Sequence, residues 1–203
     1  MRKLALALAF FSFSALADAR LEQALDLLDP DQRPEQPDDA ALGHWRNDLW
    51  VVAAVYDQTV QAAVLRETKG RFTLVARSAG EEPVSSEPNL YAAGVTLDLI
   101  PYRIAPKEVA FGVRVSNSYE SSARSSASEA LHLYRLHGGT LRQVFVTLTR
   151  ESNWDKSDQD GAESQWVVIV SKKTRKGFYD LLVRDKKTKE TTMYRWNGSE
   201  YVQ

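Results

Sequence analysis

The chain has 203 residues, with 26 Lys and Arg against 27 Asp and Glu and a formal net charge of −1. That balance excludes a global electrostatic pull toward nucleic acid or an anionic membrane. The absence of cysteine excludes disulfides, thiol catalysis, iron–sulfur clusters, cysteine zinc sites and lipid attachment through a cysteine.

Residues 1–17 have the parts of a bacterial export signal. Arg2 and Lys3 form a positive start, residues 4–16 are apolar, and Ala15-Leu16-Ala17 fits a small-x-small cleavage site. The cut is expected before Asp18. The apolar run falls short of the roughly 20 residues a membrane-spanning helix needs. The expectation is therefore a periplasmic or secreted protein, with no membrane insertion after processing.

Leu21, Ala24, Leu25 and Leu28 fall at i, i+3, i+4 and i+7, which predicts a short amphipathic helix over 19–29. Asp29-Pro30 ends it. Residues 31–41 carry Pro34, Pro37, Asp38 and Asp39 and read as an acidic linker. Residues 18–43 thus form a helical arm, its leucines resting on the domain or on a partner. The linker is expected to insulate the arm from the domain, so that a chain starting near His44 still melts cooperatively.

From 44 to 203 the texture is that of an all-β domain. Trp50, Val52, Ala54 and Tyr56 alternate with Val51, Ala53 and Val55, which predicts a strand buried on both faces. Residues 60–66 and 71–77 follow, joined by a turn at Thr68-Lys69-Gly70. Residues 91–100 and 109–116 are further strands, split by Pro101 and Pro106. Between 116 and 128, seven of thirteen residues are serine, so the stretch reads as an exposed loop or frayed strand ends. Residues 130–136 and 141–149 pair around Gly138-Gly139. A second polar loop spans 151–164. Strands at 165–171, 177–184 and 191–196 finish the chain, with Asn197-Gly198 turning into Tyr201-Val202. No repeat at blade-like spacing occurs. The fold class is all-β, an antiparallel sandwich or a meander barrel preceded by a short helical arm.

Little chemistry is legible. His132 and His137 lie five apart on a strand, which puts them on opposite faces, and His44 stands alone. There is no Gly-x-Ser-x-Gly elbow. Asp158, Asp160 and Gly161 match part of a calcium loop, but Lys156 and Val167 stand where its first and twelfth positions need acids. A looser oxygen site of Asp155, Asp158 and Asp160 is the residual reading. No catalytic, cofactor or metal residue is assigned. Asp98, Glu108, Asp155 and Asp180 cannot be paired by spacing, so a hydrolase stays as the alternative class without named residues.

Charge is uneven. Residues 18–98 hold fifteen acids and seven bases, whereas 165–203 hold four acids and nine bases. The lysines at 172–176 and 186–189 read as edge-protecting turns or as contacts for an acidic polymer. Late aromatics (Trp166, Phe178, Tyr179, Tyr194, Trp196, Tyr201) read as core filling. Trp154 and Tyr119 stand in the polar stretches and are the candidate partner contacts.

The run GFYDLLV at 177–183, YRWNGSEYV at 194–202, AFGVRV at 110–115 and LHLYRL at 131–136 resemble exported β-rich bacterial proteins of unassigned function, which implies a fold and no activity. Ser116-Asn117-Ser118-Tyr119 is similar to the inhibitory loop of periplasmic lysozyme inhibitors, without its glycine and one residue shorter. The functional expectation is a binding or envelope-associated protein whose partner is a protein or a glycan, not nucleic acid.

Overall fold

The computed structural model describes residues 17–82, 91–155 and 160–203. The export-signal reading covers residues 1–17, of which only Ala17, the first residue of the helix below, lies within that range. Among the described residues one helix, α1, covers residues 17–28, and a short 3-10 turn covers Pro37–Asp39. Twelve strands follow: β1 (Ala40–Arg46), β2 (Leu49–Tyr56), β3 (Thr59–Thr68), β4 (Arg71–Arg77), β5 (Tyr91–Ala105), β6 (Glu108–Glu120), β7 (Arg124–His137), β8 (Thr140–Asp155), β9 (Asp160–Arg175), β10 (Phe178–Asp185), β11 (Thr191–Trp196) and β12 (Tyr201–Val202). They form two antiparallel meanders, a four-stranded sheet β1-β2-β3-β4 and an eight-stranded sheet running from β12 to β5, not closed into a barrel. Sheet pairing begins at Ala40, inside the stretch read as linker.

The molecule is layered. The helix lies on one face of the small sheet, where Ala24, Leu25 and Leu28 meet Val52, Ala54, Tyr56, Ala63 and Leu65. The other face of β2, with Val51, Ala53 and Val55, packs on Val95, Phe111, Val113, Val115 and Tyr134 of the large sheet. This double burial is what the unbroken apolar texture of residues 50–56 predicted. Strands β5–β8 are themselves covered on their second face, where Ile104, Ala110, Leu131, Leu133 and Phe145 meet Leu181, Val183, Trp196 and Tyr201 of β10–β12. The large sheet therefore doubles back on itself. Its β5–β8 half is a middle layer, buried on both faces because its side chains alternate between two cores.

The arm is not insulated. Leu28 is fully buried and Leu25 is 3% exposed. Gln23 Oε1 accepts the Phe72 N–H at 3.2 Å, and Arg77 Nη1 donates to the Leu28 carbonyl at 3.0 Å, satisfying a helix C-terminal group. Arg20 pairs with Glu67 at 2.8 Å and stacks over Trp50. Local sequence showed the proline-bearing linker but not that the helix finds its apolar partner on β2 and β3.

Pro101 does not split a strand. β5 runs through it because β5 is a sheet edge, and the ladder skips from Asp98–Gly112 to Tyr102–Ala110 around it. The serine-rich stretch is strand as well. β6 and β7 pair out to Glu120 and Ser125, Ser121 Oγ accepts the Arg124 N–H at 3.0 Å, and Asn117, Ser126 and Ser128 are buried. Residues 151–155 and 160–164 are likewise paired strand, from Arg150–Gln165 out to Asp155–Asp160. Polar composition mimicked loops because these long hairpins extend past the apolar cores. The predicted two-residue turns are present at Lys69-Gly70 and Gly138-Gly139, each with positive φ at both positions, which matches the twist of antiparallel hairpins.

Candidate functional site

β8 is the strand on which the large sheet divides. It pairs with β7 along its whole length, but its pairing with β9 ends at Arg150 and Gln165. From Trp166 onward β9 pairs only with β10. The two halves of the sheet part there and face one another across the second core. A cleft of about 320 Å³ opens at the fork, lined by Thr147, Leu148 and Glu151 of β8, Trp166 of β9, Val183 and Asp185 of β10, and Thr192 and Tyr194 of β11, with Glu190 just before β11.

Strand alternation puts this lining together. Val183 and Asp185 lie two apart on β10, with Trp166 opposite Asp185, so all three share a face. Thr192 and Tyr194 lie two apart on β11. Tyr194 is held edge-on to Phe145, with ring centroids 5.0 Å apart. Trp166 and Tyr194 pack on the core at one side and stay half-exposed on the other. Asp185 is fixed by its own turn: its Oδ1 accepts the Thr188 N–H at 2.8 Å and the Lys187 N–H at 2.7 Å, and these bonds hold its carboxyl below the usual range. The cleft thus offers two aromatic surfaces, two threonine hydroxyls and three carboxylates, with no lysine or arginine among its described lining residues.

Trp154 and Tyr119 lie elsewhere and apart. Trp154 is on β8, opposite Ser125 and Gly161, and is 48% exposed. Tyr119 is on β6, half-buried, opposite Ser126, with Arg124 over its ring at 6.0 Å. Ser125 and Ser126 are neighbours on β7, so the two aromatics project from opposite faces. The tetrapeptide at 116–119 is strand rather than loop.

The four scattered carboxylates are also separate. Asp98 is buried, accepts the Tyr102 hydroxyl at 2.9 Å and is clasped by Arg114 Nε and Nη2 at 3.0 and 2.7 Å. Arg114 Nη1 reaches Glu129 at 2.6 Å, and Thr149 donates to the same carboxylate oxygen at 2.7 Å. Glu108 is bound by Arg135, which holds its carboxyl low. Asp155 ends β8. Asp180 is buried on β10 near Tyr201, whose phenol is pushed up first by burial and then by that charge. His132 is buried with Nδ1 2.5 Å from Gln143 Oε1, while His137 is exposed and 3.4 Å from Glu108, and His44 rests edge-on to Trp50. Among the described residues no group of His, Asp and Glu is placed to hold a metal. Asp158 of the residual oxygen site lies outside them.

No family model, no curated protein and no solved structure matches the chain. The cleft residues were missed in sequence because Trp166 and Tyr194 alternate as core residues do. Only the parting of β8 from β9 exposes their other sides.

Proposed function

We propose that this chain is an exported binding protein that takes a saccharide segment in the cleft at the β8–β9 fork. The observation that carries the reading is the combination there of half-exposed Trp166 and Tyr194 with Glu151, Glu190, Thr147 and Thr192. The C–H face of a sugar ring packs on an aromatic surface, while its hydroxyls donate to carboxylates and exchange hydrogen bonds with threonines. Both strand layers are anchored in a shared core, so the two walls are preformed, which lowers the entropy cost of binding. The residue pattern at 1–17 supports action outside the cytoplasm, and an envelope glycan is the partner class that fits both address and cleft.

The test is a screen of the mature protein against soluble envelope and extracellular oligosaccharides, read by calorimetry and by tryptophan fluorescence. One saccharide class should bind and perturb indole emission. Glu151→Gln and Glu190→Gln should each weaken binding by about tenfold, the loss expected for a hydrogen bond to a charged acceptor. Failure of every saccharide to bind, or binding untouched by both changes, refutes the assignment.

A further inference from the structure

The doubled-back half of the large sheet has a second mouth, at the other end of β8 and β11, and its chemistry is opposite. It is a pocket of about 280 Å³ lined by Arg135, His137, Thr140, Arg142, Gly198 and Ser199, with Val144 beside them. Arg135 and Arg142 are direct cross-strand partners on β7 and β8. Like charges in that position repel, and a sheet normally avoids the arrangement. Here only one of the two is neutralised. Glu108 receives Nε and Nη2 of Arg135, the latter at 2.8 Å, which leaves Nη1 without a hydrogen bond among the described residues. Arg142 has neither an ion pair nor a side-chain hydrogen bond among them.

Arg135 is also held from two sides. Its guanidinium lies 5.0 Å over the Phe178 ring and 5.6 Å over the Trp196 ring, and those two rings stack on each other at 4.1 Å. A guanidinium fixed by stacking and by a carboxylate loses little further freedom on binding a ligand. The facing wall is fixed too. Asn197 Oδ1 accepts the N–H groups of Ser199 and Glu200 at 2.8 and 3.0 Å, and Lys176 Nζ donates to the Asn197 carbonyl at 2.7 Å, holding the Gly198-Ser199 turn over the pocket.

We infer that this mouth is a binding site for a phosphate group, with Arg142 and the free edge of Arg135 as its charged donors and Thr140, Ser199 and His137 around them. A tetrahedral dianion fits the volume, relieves the Arg135–Arg142 repulsion and matches guanidinium donors in geometry. The phosphate can be free or can be a lipid headgroup. The site is distinct from the saccharide cleft, and its test does not depend on that reading.

The experiment is a titration of the mature protein with inorganic phosphate, followed by amide chemical shifts. Saturable shifts at Thr140, Arg142, Gly198 and Ser199 are expected. Arg142→Ala should weaken binding about tenfold or more and Arg142→Lys less, because lysine keeps the charge but loses the fork. Lys187→Ala, on a turn outside the pocket, should leave affinity unchanged. Arg142 is exposed, so its loss does not threaten the fold. A parallel arm uses phosphatidylcholine vesicles with and without phosphatidic acid. Vesicle binding that inorganic phosphate competes away assigns the lipid source, and phosphate binding without vesicle binding assigns the free anion. Absence of saturable shifts, or equal loss with Lys187→Ala and Arg142→Ala, overturns the proposal.

Discussion

The indole of Trp154 lies across the backbone of Gly161, its partner on the neighbouring strand. A Cβ built on Gly161 would come within 2.0 Å of the ring, so the indole occupies the space that a side chain would take. An aromatic covering a cross-strand glycine shields the backbone at a sheet position that otherwise packs nothing. This pairing accounts for an indole that is held in place while remaining about half in solvent.

Gly161→Ala should therefore move the indole and leave the fold intact. The clash is with a side chain that can swing outward, so the stability change should stay within about 1 kcal/mol, the scale of one cross-strand pair. Tryptophan emission should shift to the red. A drop of several kcal/mol in urea unfolding would contradict this.

The helix should be needed for stability. Leu25 and Leu28 are buried against β2 and β3, and each Leu→Ala change should cost about 2–5 kcal/mol, the usual range for a core leucine. Equilibrium denaturation of Leu28→Ala measures this. A change below about 1 kcal/mol would mean the arm detaches in solution, as its linker composition had suggested.

Arg114→Met should destabilise the middle layer by about 3 kcal/mol or more. It would strand Asp98, whose side chain is only 7% exposed, without its clasping partner. The double variant Arg114→Met with Asp98→Asn should recover part of the loss, because no uncompensated charge stays buried. Thermal melts of both variants decide it.

His132 should give the protein an acid-side stability loss. Burial lowers its proton affinity, and the Gln143 contact opposes that only in part. Its folded pKa lies below the value near 6.5 of an exposed histidine, so below that pH the unfolded chain binds the proton first. The contribution is complete above about pH 6.5 and declines as pH falls toward the depressed folded value. Comparing wild type with His132→Gln between pH 7 and 5 isolates it, and the variant should show the flatter slope. Parallel slopes would remove His132 as the cause.

Much of the architecture was legible from residues alone. The two-sided apolar run at 50–56 showed a strand between two cores, the glycine and lysine turns showed hairpins, and Leu21, Ala24, Leu25 and Leu28 showed a helix with one apolar face. These signals are local, because alternation and turn chemistry depend on neighbours a few residues away. Pro101 misled, and the serines of 116–128 left a loop and strand ends equally open, for the same reason. Whether a proline sits on an edge strand, or a serine lies between paired strands, depends on partners far along the chain.

Residue pattern alone specifies an all-β chain with a helical start and strands of known face. The parting of β8 and β9 at Arg150 and Gln165, and the pocket that the Gly198 turn forms over the Arg135–Arg142 pair, come from packing that no local pattern encodes. Periodicity encodes which side of a strand is apolar, but not where a sheet must divide so that both halves bury that side. The division follows from packing β9–β12 against β5–β8, and both candidate sites lie along the margins of that packing.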